Sequence, residues 1–102
     1  MPTEFTQRVL NIIKSIPRGK VMTYGLVAKA AGSPRASRQV VRILHSLSQK
    51  EKLPWHRIVN SKGKIALKSK KGYEIQKTLL LKEKIKFDLS DKIDLDKYQY
   101  IP

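Results

Sequence analysis

The chain has 102 residues, no cysteine, and 22 lysines and arginines against 8 carboxylates, a formal net charge of +14. That length suits one domain with its own core. Without cysteine there are no disulfides or thiolate metal sites, and His45 and His56 alone do not make a zinc site.

Glu4 to Lys14 reads as a helix, with Phe5, Val9, Ile12 and Ile13 on one stripe. Thr3 suits its N-cap, and Glu4 suits the positive end of the helix dipole. Pro17-Arg18-Gly19-Lys20 breaks the pattern with a turn. Thr23 is the next N-cap. It opens a helix over Tyr24 to Ala31 that buries Leu26, Val27 and Ala30, and Gly32 stands where a C′ glycine ends such a helix. Ser33-Pro34, an N-cap followed by proline, predicts a third helix over Arg35 to Ser48 that buries Val40, Val41, Leu44 and Leu47. Two helices joined by a tight glycine turn form a helix-turn-helix pattern.

Arg57-Ile58-Val59-Asn60 and Lys64-Ile65-Ala66-Leu67 are β-prone runs around Ser61-Lys62-Gly63, which predicts a small hairpin. A lysine-rich loop precedes a last helix over Tyr73 to Lys84, with Ile75, Leu79 and Leu80 buried. The expected organisation is a domain over residues 1–87 and a tail over 88–102. Phe87, Leu89, Ile93 and Leu95 are spaced to pack the tail on that domain. No apolar run approaches the roughly 18 residues of a membrane span. Met1-Pro2-Thr3-Glu4 lacks the basic-then-apolar pattern of a leader.

Charge is uneven along the chain. Residues 87–102 hold four aspartates and two lysines, which leaves +16 on the first 86 residues. A surplus of that size on a small domain points to a polyanionic partner, nucleic acid before an anionic membrane surface. A helix N-terminus at Ser33 to Ser37 offers backbone N–H groups to phosphate, and the small Ala36 and Ser37 permit close approach to a groove. Arg35 and Arg38 lie on the predicted recognition helix.

The motifs in order are Phe5-Thr6, then Pro17-Arg18-Gly19-Lys20-Val21 with Thr23-Tyr24, then Ala31-Gly32-Ser33-Pro34-Arg35-Ala36-Ser37-Arg38. Pro54-Trp55-His56-Arg57 and Asn60-Ser61-x-Gly63 follow. Together they resemble the O6-alkylguanine-DNA alkyltransferase family over about residues 4 to 87. In that family a cysteine precedes the histidine and accepts the alkyl group; here Trp55 stands there, and an indole does not replace a thiolate as nucleophile. The sequence therefore resembles the alkyltransferase-like branch. The resemblance implies a mostly α fold with a small β-hairpin, a helix-turn-helix (winged-helix-like) DNA-binding domain of the alkyltransferase C-terminal type.

The same resemblance assigns roles. Thr6, Tyr24, Ser33, Arg35, Ala36, Ser37, Arg38 and Ser61 would contact DNA from the minor groove, with Arg38 filling the space of a flipped-out guanine. Tyr24, Pro54, Trp55, Val59 and Lys68 would line the pocket that receives it. His56, Arg57 and Glu83 would support that pocket; with no thiol at position 55 they have nothing to activate. Each residue also has a plainer use. Arg38 is one basic residue on a helix, Tyr24 a half-buried aromatic, Trp55 a core anchor, and Thr6 and Ser61 capping or turn residues.

The implied function is non-enzymatic. The chain would bind O6-alkylguanine in duplex DNA by nucleotide flipping and mark it for nucleotide excision repair. It would do so as a cytoplasmic monomer (nucleoid-associated if bacterial) with no cofactor and no membrane partner. The rival is a helix-turn-helix transcription regulator that reads an undamaged sequence and is indifferent to lesions. Two departures bear on the pocket. Lys68 stands where some alkyltransferase-like proteins carry arginine, and His45-Ser46-Leu47-Ser48 replaces a family segment with an asparagine.

Overall fold

The computed structural model describes residues 3–102; Met1 and Pro2, half of the N-terminal stretch read above, lie outside the described residues. Helix α1 spans Glu4–Lys14, with the Thr3 side chain accepting from the Thr6 amide as its N-cap. Strand β1, Met22–Thr23, leads straight into α2, Tyr24–Ala30, which Thr23 caps in the same way. The α2 end is a Schellman motif. Gly32 adopts φ +93, its N–H donates to Lys29 O at 3.0 Å, and Ser33 N–H donates to Ala28 O at 2.9 Å.

Helix α3 spans Ser37–Leu47 and begins two residues later than Ser33-Pro34 suggested. The reason is local. The Schellman bond commits Ser33 to ending α2, and the Ala36 amide closes a turn on Ser33 O at 3.0 Å. Proline in second position favours that turn over a helix start. Ser33 is thus not the N-cap; Ala36 is, and no side chain caps the helix. Val40 and Ile43 are buried, while Val41 is 46% exposed.

A single 3₁₀ turn, Trp55–Arg57, runs into β2, Ile58–Val59. β2 pairs parallel with β1, Met22 opposite Ile58 and Thr23 opposite Val59. The small sheet is therefore formed between distant segments rather than as a hairpin. The expected tight turn is present. The Asn60 N–H donates to Lys64 O at 2.9 Å, and the Asn60 side chain accepts from the Lys62 and Lys64 amides. Its second arm forms no strand, because Gly63 O accepts instead from the Ile93 amide of the tail at 2.8 Å.

Strand alternation splits the interior in two. Met22 and Ile58 join the core of α1, α2 and α3, with Val9, Ile13, Val27 and Val40. Val21 and Val59 join a second core with Ile65, Leu80, Ile85 and Ile93. Helix α4, Lys70–Lys82, starts at the N-cap Ser69, three residues earlier than read from the sequence. It turns Gln76 and Leu80 inward and leaves Ile75 44% exposed.

The tail packs on this second core through Ile93, Phe87, Leu95 and Tyr98, and α5 covers Leu95–Tyr98. It also extends the sheet edge: Val21 N–H donates to Tyr98 O at 2.9 Å and Tyr100 N–H to Val21 O at 2.8 Å. Leu89, expected to dock, is fully exposed. Among the described residues no helix is long and apolar enough to cross a membrane, and no cluster of three His, Asp or Glu is placed to hold a metal.

Candidate functional site

The segment Pro54-Trp55-His56-Arg57 is fixed from below by Glu83, at the C-cap of α4. His56 Nε2 lies 2.5 Å from Glu83 Oε2. Arg57 donates Nε to Glu83 Oε1 at 3.0 Å and a terminal nitrogen to Oε2 at 2.9 Å; its other terminal nitrogen donates to Ile16 O at 2.9 Å. The Gly19 amide donates to Glu83 Oε1 at 2.7 Å. Burial alone would raise the Glu83 pKa. The Arg57 guanidinium, the Gly19 N–H and His56 outweigh it and hold the carboxyl at about 2. Glu83 is therefore a carboxylate acceptor rather than a proton donor at neutral pH. His56, Arg57 and Glu83 stand together beneath the turn, and no thiol exists for them to activate.

Above that cluster opens a cavity of about 630 Å³, within the roughly 300–1,000 Å³ of small-molecule sites. Tyr24 of α2, Val41, Leu44, His45 and Ser48 of the α3 side, then Leu53, Trp55, Leu67 and Gln76 line it, with Gln49 and Lys52. Trp55 meets the His56 ring edge-on at 6.2 Å between centroids. Burial pushes the Tyr24 phenol above its ordinary pKa, so its O–H stays a donor at neutral pH. The Gln76 amide is oriented by two bonds, Nε2 donating to His56 O and to Ile58 O, both at 3.0 Å. Both its hydrogens are used, so its remaining capacity is that of an acceptor.

Of the residues expected around this pocket, Tyr24 and Trp55 are brought together on its wall. Val59 is not on the wall. It is fully buried in the second core, because strand alternation turns it away from Ile58. Pro54 is half-buried beside the wall without lining it, and Lys68 is exposed on the loop before α4. Of the wall residues missed in the sequence, Val41, Leu44 and His45 of α3 and its C-cap Ser48 fall on one stripe; Gln49, Lys52, Leu53, Leu67 and Gln76 complete the wall. Their spacing reads as a core face; the exposure of Val41 and His45 shows that the stripe borders a cavity.

The residues expected to meet DNA form an exposed and half-buried set around the start of α3. Arg35 and Arg38 are exposed, and Ser33, Ala36 and Ser37 half-buried. The helices α1, α2 and α4 each have a side-chain N-cap, whereas α3 has none. Its first amides thus remain available to an anion, with the positive end of the helix dipole behind them. Thr6 is tied to Thr3, its hydroxyl 3.0 Å from the Thr3 hydroxyl, and Ser61 is exposed on the turn after Asn60.

The model of the 6-O-methylguanine DNA methyltransferase DNA-binding domain matches residues 4–85. The helix-turn-helix and the Glu83-anchored turn are thus those of an alkyltransferase-type domain. Similar proteins include a DNA base-flipping protein of Escherichia coli (strain K12), 47% identical over 96 residues, covering 94% of this chain and 74% of that protein. Alkyltransferase-like protein 1 of Schizosaccharomyces pombe is 34% identical over 104 residues, covering 97% and 96%. The crystal structure of S. pombe Atl1 in complex with damaged DNA containing O6-carboxymethylguanine matches at a TM-score of 0.85 and 34% identity, over 100% of both chains. The chain belongs to the alkyltransferase-like family and lacks the cysteine nucleophile of the alkyltransferases: Trp55 precedes the histidine of Pro54-Trp55-His56-Arg57, and the sequence contains no cysteine.

Proposed function

We propose that this protein senses O6-alkylguanine in duplex DNA without repairing it. It docks the uncapped, basic start of α3 in the minor groove and turns the alkylated nucleotide into the cavity beside Tyr24 and Trp55. Arg38 enters the stack in its place. A guanidinium suits this task, because it stacks on bases, donates several hydrogen bonds and stays charged. It offsets part of the few kcal/mol lost when a base leaves the stack. Minor-groove readout is degenerate in sequence, as a damage sensor requires.

The observation that carries the reading is the cavity of about 630 Å³ walled by Tyr24 and Trp55. An apolar wall favours an alkyl group by about 0.8 kcal/mol per buried CH₂. Alkylation also weakens pairing, so the modified base costs less to extrude. The held complex then marks the site for nucleotide excision repair, and the protein acts as a cytoplasmic monomer. Support for the DNA partner comes from the family and from the relatives' names and DNA complex.

The test is an equilibrium titration at fixed salt with two duplexes that differ only in O6-methylguanine for guanine. Salt must be fixed because so basic a chain binds any DNA at low ionic strength. Preference for the lesion in two sequence contexts is expected. Equal affinity would leave a general DNA-binding module and refute the sensor.

A further inference from the structure

The cavity wall carries one permanently charged side chain, Lys52, and no carboxylate. The neighbouring acid is occupied elsewhere: Glu51 pairs with Lys14 at 3.0 Å. Among the described residues Lys52 has no ion-pair partner. Its backbone sits at φ +52, a region that disfavours lysine and suits glycine or asparagine. That placement is fixed by two bonds across it, Glu51 N–H to Leu47 O at 2.8 Å and Leu53 N–H to Ser48 O at 2.9 Å. The backbone that carries the cation is thus held at one place on the rim of the cavity. It follows the C-terminal end of an 11-residue helix, about 16 Å long, whose opposite end bears Arg38.

We propose that Lys52 makes the pocket selective for O6-alkylguanines whose substituent ends in a carboxylate, over uncharged substituents of the same size. The inference rests on the reading of this cavity as the site that receives the base. Its logic is a division of labour along the wall. Val41, Leu44, Leu53 and Trp55 favour the carbon atoms of a substituent. A terminal carboxylate loses hydration on entering such a place and is disfavoured unless a counter-charge meets it. Lys52 is the charge available, and no acid on the wall opposes it.

The experiment uses three duplexes of one sequence, carrying guanine, O6-carboxymethylguanine, or the neutral carboxamide of the same substituent. Affinities are measured at fixed salt for the wild type, Lys52→Asn and Lys52→Glu. The wild type is expected to prefer the carboxylate over the carboxamide by about fivefold, the upper end for an exposed ion pair. Lys52→Asn should erase that preference while keeping the carboxamide favoured over guanine, and Lys52→Glu should invert it. Asparagine fits the left-handed backbone, so its melting temperature should not fall, and loss of binding through unfolding would be visible. Equal affinity for carboxylate and carboxamide in the wild type overturns the inference, as does a preference that survives Lys52→Asn. Equal weakening on all three duplexes would make Lys52 a phosphate contact and overturn it too. If neither modified duplex outcompetes guanine, the base-receiving reading falls, and this inference with it.

Discussion

Replacing Glu83 with glutamine removes one charge from the cluster under Trp55 and changes little in volume. The carboxyl is held at about 2 against an ordinary 4.5. That depression corresponds to about 3 kcal/mol of folding stability at pH 7. Discounting for solvent is small, since the Glu83 side chain is 5% exposed and that of Arg57 17%. Because the folded value lies below the unfolded one, this stability is fully present above about pH 4.5. It is lost as pH falls toward 2, and roughly half is gone by pH 3. Glu83→Gln should therefore cost about 3 kcal/mol at neutral pH, leaving Arg57 buried without its counter-ion. The gap to wild type should shrink below about 1 kcal/mol near pH 2. Urea unfolding followed by the fluorescence of the single tryptophan, Trp55, reports both numbers from within the cluster. A cost under about 0.5 kcal/mol at pH 7, or a gap that stays constant in acid, would refute the assignment of Glu83 as a charged anchor.

Other consequences can fail separately. Arg38→Ala should weaken lesion binding and abolish most base extrusion, read with a fluorescent base beside the lesion; unchanged extrusion would remove the finger assignment. Trp55→Cys is expected to leave the protein unable to accept a methyl group. A thiol placed off the alkyl carbon by about 1 Å forfeits near-attack geometry, and the wall here includes His45 and Ser48. Intact mass after incubation with alkylated DNA checks it, and robust methyl transfer would show that only the cysteine was missing. Gly63→Ala should destabilise the fold by more than about 1 kcal/mol. Gly63 has φ +78, and a Cβ there would sit 2.4 Å from Ile93 O; unaltered urea unfolding would contradict that contact.

The helices were legible because their signals are local. Thr3 and Thr23 cap α1 and α2 as read, and Gly32 ends α2 in the left-handed conformation its position suggested. Helix starts were misplaced for local reasons at α3 and α4, and the larger errors arose where a distant partner decided. Ile65 was read as a strand residue, yet the backbone around it turns to the tail through Gly63 and Ile93. Ile75 was read as buried from its hydrophobicity. The inward face of α4 instead carries Gln76, whose amide satisfies the His56 and Ile58 carbonyls, a requirement that apolar periodicity does not express. The pocket was half legible for the same reason. Trp55 and Tyr24 stood out by motif. Val59 was assigned to the wall by the resemblance, although alternation in a strand sends it to the opposite side from Ile58.

The Glu83 cluster has a structural task that needs no thiol. Its bonds reach four separated pieces of backbone or side chain. They are Gly19 before β1, Ile16 after α1, the His56-Arg57 pair, and the end of α4. Together they clamp the 3₁₀ turn that carries Trp55 and lock β2 beside β1. Removing the nucleophile leaves that task unchanged, because each bond serves the position of the wall rather than the reactivity of residue 55. A relaxed turn would let the indole shift and the cavity lose its shape. On this argument the Glu83→Gln protein, when still folded at low temperature, should lose preference for O6-methylguanine more than it loses affinity for plain duplex. Plain-duplex affinity depends on the charges around α3, which the substitution does not touch. If both affinities fell in the same proportion, the cluster would be a stabiliser of the whole domain with no special hold on the pocket.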